Sequence, residues 1–366
     1  MDEIVAHVRT LQIGDALSKT AAAEALEELA YCDEENEALI AAAGGIEALI
    51  HLLRDGSAEA KLLAASTLGI MAINDDNNVL IAEAGGIEAL IQLLRDGSAE
   101  AKTWAARALD NLAFCNRILI AEAGGIAPLV HLLRNGSAEA KLLAASALGS
   151  LAFNGDSRVL IAETGGVPPL VHLLHVGSAE AKRLAARTLG ILALNENNRV
   201  LIAEARGIPP LVELLSDGSA EAKVEAAWAL GSLAWIDANK VLIVDAGAVP
   251  PLVELLRDGT ADAKLNAARA LGELAAYNEC SKVAISVAVG LEALVQLARR
   301  GRVTAAIDID RCEGADRLGA DVYRTIVRFA GNPAKRKAAL VVAALFKDCV
   351  PCEVPDDIKA AIGSYL

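Results

Sequence analysis

The chain has 366 residues, 54% of them hydrophobic but only 3% aromatic, so its helices must pack through Ala, Leu, Ile and Val rather than through rings. With 34 Lys+Arg against 48 Asp+Glu, the formal net charge is −14, which repels phosphate backbones and argues against general nucleic-acid binding. No stretch reaches the roughly 18 uninterrupted apolar residues of a membrane span, and six cysteines are too few for a disulfide framework in a chain this long.

The N-terminal MDEIVAHVRTLQIGD has no basic segment followed by a long apolar run, so it does not read as a secretory signal. A cytoplasmic protein with reduced thiols, also compatible with the nucleus and without direct membrane insertion, is expected. Residues 1–18 read as a helical cap. AAAEALEELA (21–30) then looks like a lone copy of the helix that closes each later unit.

From Gly44 a three-helix unit begins and recurs. The second residue of each copy falls at 45, 86, 125, 166, 207, 248 and 290, at intervals of 41, 39, 41, 41, 41 and 42. The short interval reflects two residues missing near FCNRILIAEAGG. A first short helix, such as NNVLIAEA (77–84), usually stops at a glycine pair, because glycine accepts the left-handed C-cap conformation. A second helix starts with an apolar residue and often prolines, as at Val167-Pro168-Pro169, where proline loses no helical hydrogen bond. The third starts at GSAEAK, with Ser57, Ser98, Ser137, Ser178, Ser219 or Thr260 as N-cap and Glu59 or its equivalent near the positive helix end. After LEALVQLARRG (291–301) the pattern breaks, and 321–346 reads as a degenerate second and third helix. The expected organisation is capping helices over 1–30, six full units and a partial seventh over 31–300, and a divergent helical cap over 301–366.

The glycine pair, the I-P-P-L-V-x-L-L helix, the G-S-A-E-A-K start and the A-A-x-A-L-x-x-L-A helix recur in that order. In this the chain resembles an armadillo repeat protein over about 20–300, and its flavour is similar to vacuolar or plant-type multi-repeat members. The resemblance implies an all-α, right-handed superhelical solenoid with irregular terminal caps, whose third helices line a concave groove. HEAT repeats are the runner-up, but the three-helix unit and the glycine pair argue against them.

Within the third helices, near-copies differ most at two positions four apart. These are Ser66/Ile70, Arg107/Asn111, Ser146/Ser150, Arg187/Ile191, Trp228/Ser232 and Arg269/Glu273. At about 100° per residue, positions 59, 62, 66, 69, 70 and 73 share one face, and the recurrent apolar positions point elsewhere. The variable pairs therefore belong on the exposed face, which the resemblance makes the groove. The candidate groove residues are Ser66, Arg107, Asn111, Ser146, Ser150, Arg187, Trp228, Ser232, Arg269 and Glu273. Drift of solvent-exposed positions would explain Ser66, Ser146 and Ile70 equally well.

Arg107, Arg187 and Arg269 occupy alternate units, roughly 20 Å apart for helices packed at about 10 Å. They could grip carboxylates or phosphates with bidentate hydrogen bonds. Trp228 has the strongest single claim as an anchor. At position 73, which holds Ile73, Phe114, Phe153, Leu194 and Trp235, the aromatic residues Phe114, Phe153 and Trp235 are expected to pack into the next unit's first helix, and Trp104 to sit partly packed at the flank of the face. Importin-alpha proteins repeat Trp and Asn four apart in their groove. Here only Asn111 and Trp228 match, in different units, which disfavours nuclear import. The recurrent Gly69, Gly149, Gly190, Gly231 and Gly272 suggest close helix approach, or else an open groove backbone, with Asp110 the exception.

Nothing here reads as catalytic. His51, His131 and His172 share a register that elsewhere holds Gln92, Glu213 and Glu254, as a solvated helix face would. No phosphate loop, serine elbow or metal-binding histidine pair appears, so no cofactor or metal is expected. Cys349 and Cys352 form a CxxC without further ligands. The expected function is a non-catalytic, monomeric scaffold binding a protein or peptide segment along the groove, one whose acidic or phosphorylated residues the arginines would favour. Alternatives are an adaptor in ubiquitin ligation, a vesicle or organelle tether, or a nuclear-transport-like cargo binder.

Overall fold

A computed structural model describes residues 2–275, which fall into two compact units divided after Gly207. The expected partial seventh repeat, the C-terminal cap, Cys349 and Cys352 lie outside the described residues.

The first unit opens with α1 (Asp2–Ile13) and α2 (Ala16–Cys32) and continues with α3 (Glu34–Ala42), α4 (Gly45–Asp55) and α5 (Ala58–Met71). Next come α6 (Asp75–Glu83), α7 (Gly86–Asp96), α8 (Ala99–Glu122), α9 (Ile126–Asn135) and α10 (Ala138–Leu151). It closes with α11 (Gly155–Glu163), α12 (Val167–Val176), α13 (Ala179–Leu192) and α14 (Glu196–Glu204). The second unit holds α15 (Ile208–Asp217), α16 (Ala220–Leu233), α17 (Asp237–Asp245), α18 (Val249–Asp258) and α19 (Ala261–Ala275).

The local signals do what they predict. Ser57, Ser98, Ser137, Ser178 and Ser219 each accept a hydrogen bond from the backbone N–H three residues on, at 3.1–3.3 Å, and Thr260 does the same. The first glycine of the pairs is left-handed, with φ from 77° to 80° at Gly44, Gly85, Gly124 and Gly165, and so is Gly247 (φ 82°), which Ala248 follows. The second residue of a pair must be small too, since a Cβ on Gly45 would lie 2.5 Å from Ile40 Cγ2. Arg206 takes the same left-handed turn, at φ 60°, without glycine's freedom. One element differs from expectation. The two missing residues remove the turn between a third and a first helix, so α8 runs on through 24 residues and only kinks at Asn116 (φ −111°, ψ 21°).

Third helices pack on third helices, with α2, α5, α8, α10 and α13 in succession in the first unit and α16 against α19 in the second. Their contact surface is mostly Ala and Leu. Ala64, Ala65 and Leu68 are fully buried, as are their counterparts Ala105, Ala106, Leu109, Ala144, Ala145 and Leu148. Small side chains bring the helices close, and each fully buried leucine contributes roughly 1.5–3 kcal/mol. The aromatic residues stay out of this core. Among the described residues, Tyr31, Trp104, Phe114, Phe153, Trp228 and Trp235 are all exposed or half-buried.

Polar ties join successive repeats. Arg54, Arg95 and Arg134, at one register of the second helices, donate to the carbonyls of Gly85, Gly124 and Gly165 in the next repeat, at 3.0, 3.4 and 2.7 Å. Buried asparagines at the start of the first helices do the same inside. Asn198 Nδ2 donates to Arg158 O at 3.0 Å and Leu192 O at 3.2 Å, and Asn78 Nδ2 to Ala72 O and Asn111 O.

Candidate functional site

The face built from the variable third-helix positions is less open than the helical wheel predicts. In the first unit Ser66 is fully buried, and its Oγ donates to Glu27 Oε1 on α2. In the second unit Ser232 is 2% exposed, and its Oγ has no hydrogen-bond partner. Both therefore leave the set of exposed candidates. The wheel shows which way a residue points on its own helix, but closely packed neighbouring helices cover the short side chains at these positions. Ile191 is buried for the same reason. Asn111 is half-buried, and its Nδ2 donates to Gly69 O at 2.9 Å, tying α8 to α5.

The longer side chains reach out. Arg107 lies over the ring of Trp104, 5.2 Å from its centroid, and its Nη2 pairs with Glu139 Oε1 on α10 at 2.5 Å. Trp104 is half-buried beneath it, partly packed as its flank position predicts. Ser146, Ser150 and Arg187 are half-buried. In the second unit Trp228 and Glu273 are half-buried and Arg269 is exposed.

Asp110, the one residue that breaks the glycine register, is the hub of the first unit's cluster. Burial pushes its carboxyl up to about 6, against a hydrogen bond from Ser146 and the charges of Arg107 and Arg187, all of which lower it. Residues from α8, α10 and α13 thus converge on one carboxylate. Sequence reasoning flagged Asp110 only as an exception and treated Glu139 only as a complement to the helix dipole. The signal for Glu139 was available, because its register shares the face of the variable positions.

Two of the recurrent glycines face a neighbouring third helix with different room. A Cβ on Gly149 would lie 2.7 Å from Thr188 Oγ1, a hydroxyl fixed by donation to Ala145 O at 3.0 Å. On Gly69 it would make only ordinary contact with Ala108, at 3.5 Å. Neighbouring helices approach closely at both positions, but only at Gly149 is there no room for a methyl.

The register of residue 73 reverses its expectation. Phe114 is 78% exposed, Ile73 72% and Phe153 53%, with Leu194 also exposed in the first unit and Trp235 in the second. Phe114 lies within the fused helix α8 and the others just past the last turn of their third helices, and none packs into the next first helix, whose inward side is filled by Ile81, Ile120, Ile161 and Ile202. His51, His131 and His172 are exposed, as a solvated face requires. Among the described residues, no three His, Cys, Asp or Glu gather as metal ligands, and no single helix is long and apolar enough to cross a membrane.

The model of the armadillo/beta-catenin-like repeat matches residues 74–114, 116–153, 156–194, 195–235 and 237–276, more than half of the chain. The chain belongs to the armadillo repeat family. Its matched armadillo units begin two residues or fewer from the first helices described above, apart from the unit fused into α8. No curated protein matches. Among solved structures, an engineered protein is 30% identical, with a TM-score of 0.81, over 100% of this chain and 92% of that one. A designed armadillo repeat protein in complex with the peptide (KR)4 is 30% identical, with a TM-score of 0.57, over 63% of this chain and 99% of its own. A computationally designed armadillo repeat protein for modular peptide recognition is 28% identical, with a TM-score of 0.58, over 62% and 99%.

Proposed function

We propose that this armadillo protein is a monomeric, non-catalytic scaffold that binds a segment of a partner protein along its third-helix face. We further propose that the segment carries carboxylates or phosphates. The observation that carries the reading is Arg107. Its guanidinium is oriented by Trp104 beneath and Glu139 beside it, yet the side chain keeps 40% of its exposure. A cation held in place but still open loses little rotamer freedom on binding an anion. The peptide-bound and peptide-recognising designs among the structural neighbours support peptide as the partner class. In this chain Arg107, Arg187 and Arg269 recur at a register where a basic peptide would be repelled.

The test is a titration of the full chain with fluorescent peptides of matched length, one Asp/Glu-rich, one phosphorylated and one (KR)4. The anionic peptides should bind, and Arg107→Ala with Arg187→Ala should weaken them by tenfold or more, roughly 1.4 kcal/mol. Preference for (KR)4, or an unchanged affinity in the double variant, would overturn the charge assignment.

A further inference from the structure

Asp110 sits at the centre of the residues that carry the proposed function, yet nothing in that function uses it. The fold does not ask for it either, since Gly69, Gly149 and Gly190 hold the same register in the neighbouring third helices of this unit. The residue is half-buried on the face of α8 that carries Arg107, one turn earlier. From α10, Ser146 donates a hydrogen bond to its carboxyl, and from α13 Arg187 adds a second positive charge. Arg107 is shared with Glu139 of α10. On α13, Arg183 Nε donates to Glu180 Oε2 at 2.8 Å, so that acid and cation engage each other. On the other side of α8, α5 carries charge only at Glu59 and Lys61, in its first turn and about two turns from Gly69. The charged residues of α6, α7 and α9, which also pack on α8, are exposed, and none is among the groups acting on Asp110.

The charges of the cluster balance while Asp110 is ionised, Arg107 and Arg187 against Asp110 and Glu139. Protonating Asp110 leaves one positive charge in excess, at the place where an anionic residue of the partner would settle. Burial, opposed by Ser146 and the two arginines, holds the carboxyl at about 6, so both charge states are within reach near neutral pH. A bound anion adds negative charge beside the carboxyl and draws the arginines to itself, which strengthens the carboxyl's hold on its proton. By linkage the protonated cluster then binds the anion more tightly, by the same factor.

We propose that Asp110 is a built-in competitor for the partner's anionic residue: ionised, it occupies the charge of Arg107 and Arg187, and the partner binds as the Asp110 carboxylate takes up a proton from solvent, so that the groove tightens on its partner as the medium acidifies. This rests on the reading of the third-helix face as an anion-binding groove and adds its regulation. Asp110 sets the affinity; the arginines do the gripping.

The probe is the fluorescent Asp/Glu-rich peptide, whose own carboxylates titrate near 4 and stay ionised above about pH 5.5, whereas a phosphate would titrate within the window. At constant ionic strength the full chain should bind it about fivefold more tightly at about pH 5.5 than at about pH 7.5. Asp110→Asn, and Asp110→Gly, which installs the residue this register holds in the neighbouring repeats, should bind about fivefold more tightly than wild type at about pH 7.5 and lose this dependence. The histidines of the second helices are common to all three proteins, so the comparison isolates Asp110. Calorimetry at about pH 6.5 in two buffers of different ionisation enthalpy should show uptake of about half a proton on binding to wild type and none on binding to Asp110→Asn. Binding that Arg107→Ala with Arg187→Ala weakens, but that is equal at the two pH values or changes alike in wild type and Asp110→Asn, overturns the competitor role and leaves the groove reading standing. Absence of binding by wild type and both Asp110 variants at every pH overturns both.

Discussion

Two registers of the same third helix, seven residues apart, behave in opposite ways. At position 66 the side chain points toward the variable face, yet Ser66 is completely buried, Arg107, Ser146 and Arg187 are half-buried, and only Arg269 is exposed. At position 73, where large apolar residues recur, Ile73, Phe114 and Phe153 stand in solvent. Side-chain chemistry alone would assign them the other way round. Burial in a stack of repeats depends on where along the helix a neighbour lies. Mid-helix positions sit between adjacent third helices, and even polar residues there are covered. Positions just past the last turn face no packed helix, and even phenylalanine there stays open.

The sharpest test inserts bulk at the covered register. Ser66→Trp, the residue that stands at this register in Trp228, should destabilise the fold by about 3 kcal/mol, because nothing at a fully buried serine can yield the volume. Urea denaturation followed by circular dichroism reads this directly, and a variant as stable as wild type would show that the register is open after all.

Next is the charge at the centre of the covered cluster. The Asp110 carboxyl titrates at about 6 rather than its ordinary 3.8, so the folded state holds the proton more tightly than the unfolded state. The cost of ionised Asp110 is fully present above the folded value and fades as pH falls through 6 toward 3.8. Asp110→Asn should therefore stabilise the protein by on the order of 1–3 kcal/mol around pH 7.5, and the advantage should shrink toward zero as pH approaches 4. Parallel stability curves for the two proteins across that range would contradict the assignment.

Backbone spacing between third helices is probed by alanine at the glycine register. Gly69→Ala meets only ordinary contact and gains helix propensity, so a change between zero and about 1 kcal/mol of stabilisation is expected. Gly149→Ala collides with the Thr188 hydroxyl and should cost about 1–2 kcal/mol despite the same gain. Thermal melts of the two variants should shift in opposite directions or differ clearly in size. The smallest effects belong to the open register. Phe114→Ser and Phe153→Ser should leave stability within about 0.5 kcal/mol of wild type, since side chains already in solvent bury little.

Repeat length, helix order and caps were legible in the residues because they are local. A serine three residues before a free N–H, or a glycine where the chain must turn left-handed, needs no knowledge of the rest of the fold. The two missing residues near Asn116 were legible as a deletion but not as a fused helix, since joining α8 across the lost turn depends on how both halves pack. The Arg107–Glu139 pair and the convergence of Ser146 and Arg187 on Asp110 link residues from different repeats, and no spacing within one repeat reveals them. The family, the three-helix unit and the set of positions that vary thus follow from the sequence, because each rests on a period and on short-range chemistry. Which of those positions reach solvent, which close over a carboxylate, and which apolar side chains are left uncovered was decided only by the stacking of the repeats, because burial is a property of neighbours.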